Sequence, residues 1–231
     1  MPPKDGRGSP SHERDSSTII SSISLMPEIF FFQEPAMQVQ IIEIVPERLI
    51  DYASVPIRFE VRSILQVELV DGGLGGMLLR QVPVEKPYVK DYDAYGELPT
   101  DWPKLFDVTN WGFFLALDGE RPVGAAAVAF DTAGVFMLEG RRDLAVLWDL
   151  RAHPACRGVG IPLFRYAAEW SRKRGCRQMK VETQNVNVPA CRFYQRMGCQ
   201  LGEIRRFGYA LVPAVAHEVM LNWYLDLRDI N

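Results

Sequence analysis

The chain has 231 residues, 48% of them hydrophobic and 24% charged, with 26 Lys and Arg against 29 Asp and Glu. That composition supports a sizeable core and excludes global disorder, and a formal charge of −3 leaves no electrostatic footprint for nucleic acid. No apolar run reaches the ~18 residues of a membrane span, because the longest candidate, residues 18–32, is broken by Ser21, Ser22, Ser24, Pro27 and Glu28.

In chain order, residues 1–36 start polar, with Pro and Gly and no periodicity. They are expected to be a poorly ordered extension of a single domain covering 37–231. The extension lacks a signal-peptide pattern: its apolar stretch starts late and has no small-residue cleavage site. Residues 39–45 have strand character, and Pro46-Glu47 opens a short helix over 47–53. Ile57, Phe59 and Val61 alternate with Arg58, Glu60 and Arg62, the period of a strand. Residues 71–76 read as a glycine turn. A nucleotide loop would need a strand-to-helix junction, and Pro83 and Pro87 follow too soon for one.

Residues 85–110 form a long connection rich in proline, carboxylates and aromatics, a type of loop that is often functional. Residues 111–117 and 122–130 read as two strands of a hairpin turning at Asp118-Gly119. A buried strand follows over 145–152. The period then changes: Leu163, Ala167 and Trp170 mark an amphipathic helix over 161–174, with Pro162 in its first turn and Gly175 beyond its end. Residues 178–183 form a strand, and Asn187 caps a helix from Val188 to about Met197, ended by Gly198. Strands near 199–204 and 219–227 close the chain. Cys156, Cys176, Cys191 and Cys199 contain no C-x-x-C pair and the three His do not cluster, so no metal site is expected. Four such thiols read as free, in a reducing cytoplasm.

Two segments carry chemistry. In DLRAHPACRGVG, residues 149–160, a strand enters a loop with Arg157, Gly158 and Gly160 and then a helix. Helix-start N–H groups beside an Arg suit a pyrophosphate. In VETQNVNVPACRFYQRMG, residues 181–198, Asn187 opens a helix and Tyr194 lies two turns into it. The acidic and aromatic side chains of 85–107, among them Glu97, Asp101, Tyr95 and Trp102, suit a cationic amine through Coulomb attraction and cation–π contact.

In this order and spacing, the two segments resemble the GNAT superfamily of acetyl-CoA-dependent N-acetyltransferases. The run at 181–198, the late LNWYLDL and the PYVKDYD of residues 87–93 are most similar to its streptothricin acetyltransferase-like branch. The resemblance implies an α/β fold: a central, twisted, mostly antiparallel sheet with flanking helices and one splayed parallel strand pair. It implies acetyl-CoA as co-substrate and no metal. The pantetheine arm would meet backbone near Leu150 and Ala152, the pyrophosphate Arg157, Gly158, Val159, Gly160 and Ile161, and Asn187 would face the cofactor. Tyr194 would be the general acid for the leaving thiolate, with Glu182 or Asp149 as the base. Tyr88, Asp91, Tyr92 and Asp93 would bind the acceptor, a small streptothricin-like or polyamine-like primary amine. Against the family's Arg/Gln-x-x-Gly-x-Gly/Ala pattern the 157–160 loop reads as shortened, with fewer N–H donors. No Cys has an adjacent His base, so direct transfer is expected. The alternatives are acetylation of a protein or peptide N-terminus and a non-catalytic acyl-CoA-binding scaffold. A homodimer is compatible with each.

Overall fold

Near-continuous apolar runs, such as residues 112–117 and 122–129, bury one central sheet on both of its faces. The computed structural model describes residues 39–95 and 97–229; the extension expected over residues 1–36 lies outside them. The seven-stranded sheet runs β1-β4-β5-β6-β7-β9-β8. Its strands are β1 (Val39–Ile44), β4 (Gly112–Asp118), β5 (Arg121–Phe130), β6 (Leu144–Ala152), β7 (Gln178–Gln184), β8 (Gln200–Arg205) and β9 (Met220–Asp226). Every pairing is antiparallel except β6 with β7. The expected α/β fold, a mostly antiparallel sheet with one parallel strand pair, is therefore observed. The β4–β5 hairpin turns at Gly119, whose φ of 62° is the left-handed conformation that glycine adopts without strain.

Helices α3 (Gly160–Lys173) and α4 (Val188–Arg196) cover one face. Leu163, Phe164, Ala167 and Trp170 of α3 pack there with Cys191 and Tyr194 of α4. Close approach depends on Gly124 of β5, where a Cβ would fall 2.4 Å from Val159 and 2.7 Å from Leu163. The other face packs α1 (Leu49–Ala53) and the Trp102 that begins α2 (Trp102–Leu105) against Phe113, Leu115 and Val146.

One expectation is corrected outside the sheet. Residues 85–90 belong to a strand, β3 (Met77–Lys90), which pairs with β2 (Phe59–Leu69) as a separate two-stranded ribbon. Proline argues against a central strand, but a two-stranded ribbon has a free outer edge where a missing N–H is tolerated. The register also jumps between Val61 and Ser63, from partner Tyr88 to partner Pro83, so Pro87 falls within the irregular stretch. Buried Asn185 ties this ribbon to the sheet. Its side-chain amide donates to the Leu65 carbonyl at 3.0 Å, and its Oδ1 accepts from the Val219 amide at 2.8 Å.

Candidate active site

The parallel pair stops early. β6 and β7 are in register only from Leu144 opposite Gln178 to Leu147 opposite Val181. At that point β6 bulges against β5, where Leu147 pairs with Val128 and Asp149 with Ala127. A bulge bends the strand that carries it, and β6 departs from β7. The His153 amide donates to the Val123 carbonyl at 2.8 Å. Along an alternating ladder, the amides and carbonyls of Leu150 and Ala152 therefore face the gap. A cavity of about 610 Å³ opens there, lined by Leu150 and Ala152 on one side and by Glu182, Gln184 and Asn187 on the other.

Tyr194 reaches this cavity from α4. Asn187 starts that helix by accepting the Ala190 amide on its Oδ1 at 3.1 Å. The Tyr194 ring is buried against Phe164 and Phe193. Burial pushes its pKa well above the usual tyrosine value, with smaller contributions from Cys199, Asp149 and Tyr92. The hydroxyl therefore stays protonated. Glu182 is half-buried on β7, and its Oε1 accepts from the Tyr209 hydroxyl at 2.6 Å. Burial raises its carboxyl pKa; the Tyr209 hydrogen bond, Lys180 and Arg205 act the other way.

Asp149 sits differently. It accepts from the Tyr52 hydroxyl at 2.7 Å and from Arg151 Nε at 3.0 Å. Arg151, 2% exposed, also forms a fork with Asp93, at 2.9 Å on each arm. Burial raises the Asp149 carboxyl although Arg151 opposes it. Tyr52, Asp149, Arg151 and Asp93 thus form one connected group, with both carboxylates committed to it.

The structure gathers only part of the expected acceptor set. Tyr92 and Asp93 line the cavity, joined by Glu97, Trp102 and Trp148. The Tyr92 hydroxyl donates to Gln184 Oε1 and accepts from the Asn187 side chain. Asp91 instead receives the Asp93 amide at 3.1 Å in a local turn, and Tyr88 is 42% exposed on the ribbon. The expected pyrophosphate residues lie at the start of α3, beyond the cavity lining. Arg157 and Gly158 are exposed, Gly158 with φ 90°. The Val159 side chain is a core residue beneath Gly124, so only its backbone can meet a ligand. The amides of residues 157–160 lie in the turn that opens α3, and that of Ile161 donates to the Gly158 carbonyl at 3.2 Å. That cradle and the unpaired edge of β6 fit a pyrophosphate and an amide-bearing arm.

Sequence reasoning assigned no role to Tyr209, Lys90 or Glu218. Lys90 and Glu218 form an ion pair with side chains only 2% and 3% exposed. No local pattern marks these residues, because their partners are far along the chain. The Asp149–Arg151 contact did have a signal: residues two apart on a strand share a face.

Residues 78–199, just over half of the chain, match the model of the Acetyltransferase (GNAT) family. A streptothricin acetyltransferase from Streptomyces lavendulae is 31% identical over 144 residues, covering 61% of this chain and 70% of that protein. Another from Escherichia coli is 26% identical over 186 residues, 79% of this chain and 94% of that protein. Among solved structures, nourseothricin acetyltransferase superposes with a TM-score of 0.63 at 24% identity, covering 82% of this chain and 98% of that one. A putative streptothricin acetyltransferase from Bacillus anthracis, in complex with acetyl coenzyme A, gives 0.62 at 24% identity, covering 83% and 99%. These two structures share the fold.

Proposed function

This chain belongs to the acetyltransferase (GNAT) family, and on that premise we propose that residues 37–231 form one domain that acetylates a small cationic amine of streptothricin-like or polyamine-like type. The enzyme is an acetyl-CoA-dependent N-acetyltransferase. The observation that carries the finer reading is the parting of β6 from β7. It leaves unpaired backbone, a protonated tyrosine and a carboxylate of raised pKa on one cavity.

In this reading the Leu150 and Ala152 edge of β6 receives the amide-bearing arm of acetyl-CoA as a further strand would be received. The amides of residues 157–160, with Arg157, hold the pyrophosphate. A gap-facing N–H polarises the thioester carbonyl. Glu182 takes a proton from the ammonium group, and the amine nitrogen attacks the thioester carbon. The new C–N bond forms as the C–S bond breaks, Tyr194 gives its proton to sulfur and regains one from the acylated nitrogen, and the proton held by Glu182 leaves to solvent. Burial raises the Tyr194 pKa, but a thiolate in the same cavity suffers the same desolvation, so the transfer stays matched. Asp149, held by Tyr52 and Arg151, supports the acceptor wall and is not the base. Glu97 and Glu182 supply negative charge, and Tyr92, Trp102 and Trp148 supply aromatic faces, for the cationic acceptor.

Acetylation of a protein N-terminus is the competing use of the same site. The test is thiol release from acetyl-CoA with a streptothricin, a polyamine and an N-terminal peptide as acceptors, with the acetylated product identified by mass. Turnover with the small amines supports the proposal; turnover with the peptide alone reassigns the acceptor, and turnover with none of them leaves the scaffold reading.

A further inference from the structure

The connection between β8 and β9, residues 206–219, is mostly exposed: Phe207 is 76% and Leu211 96% accessible. Only Tyr209 and Glu218 in it are buried, and each is pinned to another part of the chain, Glu218 by Lys90 and Tyr209 by Glu182 with Gln184 beside it. Glu218 pairs with Lys90 at the end of β3. The Tyr209 hydroxyl donates to Glu182 on β7 at 2.6 Å. Between the pins, Val212 and Val215 line the cavity. The connection therefore lies over the site, and one of its fastenings is the carboxylate that faces the acceptor.

We infer that Tyr209 is a positioning residue for Glu182: its hydroxyl fixes one carboxylate oxygen so that the other faces the acceptor amine when residues 206–219 lie over the cavity. The inference rests on Glu182 being the base. A hydrogen bond to the ionised form of an acid stabilises that form, so the same contact keeps Glu182 ready to accept a proton. The other groups around Glu182 are Lys180 on its own strand, Arg205 on β8, Tyr92 from the acceptor loop and the neutral Asn222 opposite it on β9. None of these lies on the connection, whose hydrogen bond to Glu182 comes from Tyr209.

The test is the pH profile of kcat/KM for the full chain and for Tyr209→Phe, Glu182→Gln and Phe207→Ala, with acetyl-CoA affinity measured by calorimetry. Tyr209→Phe removes one hydroxyl and is expected to move the acid limb upward by about one pH unit, with acetyl-CoA affinity held to within about twofold. Phe207→Ala, on the same connection but away from Glu182, is expected to leave the limb in place. A Tyr209→Phe limb at the wild-type position overturns the inference while sparing Glu182 as the base. An equal shift in Phe207→Ala overturns it too, by showing a general effect of the connection. Wild-type rate and limb in Glu182→Gln would overturn the base assignment itself.

Discussion

The β6 wall of the cavity is made of backbone, whereas the facing wall is made of side chains far apart in sequence. On β6 a bulge and an unfinished parallel ladder leave Leu150 and Ala152 facing the gap. Opposite them, Tyr209 holds Glu182 and Lys90 holds Glu218, and Asp93 is held by Arg151, which reaches across from β6. A backbone wall tolerates side-chain replacement and binds what any strand edge binds. A wall of paired charges depends on each partner, and truncating one leaves a buried charge uncompensated.

That contrast can be broken at several points, the strongest first. Lys90→Met should destabilise the protein by about 3–5 kcal/mol, read by urea unfolding, because Glu218 is left buried and alone. Tyr194→Phe should lower kcat by about 10²–10³-fold with acetyl-CoA affinity nearly unchanged; unaltered turnover would remove Tyr194 from the chemistry.

Glu182→Gln should raise Tm by a few degrees at pH 8 while lowering activity. Burial raises the folded carboxyl pKa above the unfolded value. Stability from the protonated acid is therefore fully present below the unfolded pKa and lost as pH rises through the folded one. The variant's advantage should accordingly vanish near pH 4. The smallest change is expected from Glu97→Gln on the exposed lip of the cavity. A solvated charge of this kind is worth well under 1.4 kcal/mol, so the acceptor KM should rise by only about threefold, and less at high salt. A rise of more than about tenfold would show that the lip, not the paired wall, selects the acceptor.

The same contrast explains what the sequence disclosed. The hairpin at Gly119, the Asn187 cap and the helix behind Pro162 were legible because each depends on neighbours in the chain. The two motifs were legible in the same way, whereas the splayed pair was expected only from the family they resemble. The β2–β3 ribbon was hidden because Pro83 and Pro87 read as loop, and only its free edge makes them acceptable. Tyr88 and Asp91 belong to the right segment but turn away from the cavity, since strand alternation and a local turn, not residue type, set their direction. Tyr209 had no local signal, because its partner Glu182 lies on a strand that precedes α4 and β8.

The most direct test is a calorimetric titration of acetyl-CoA into the full chain and into Arg157→Ala. Binding in the micromolar range, weakened at least tenfold by the substitution, is the expected result, because in the proposed site the exposed guanidinium and the amides of residues 157–160 would share the pyrophosphate. Absence of binding to the unaltered chain would contradict the account and leave the fold as a scaffold without its co-substrate.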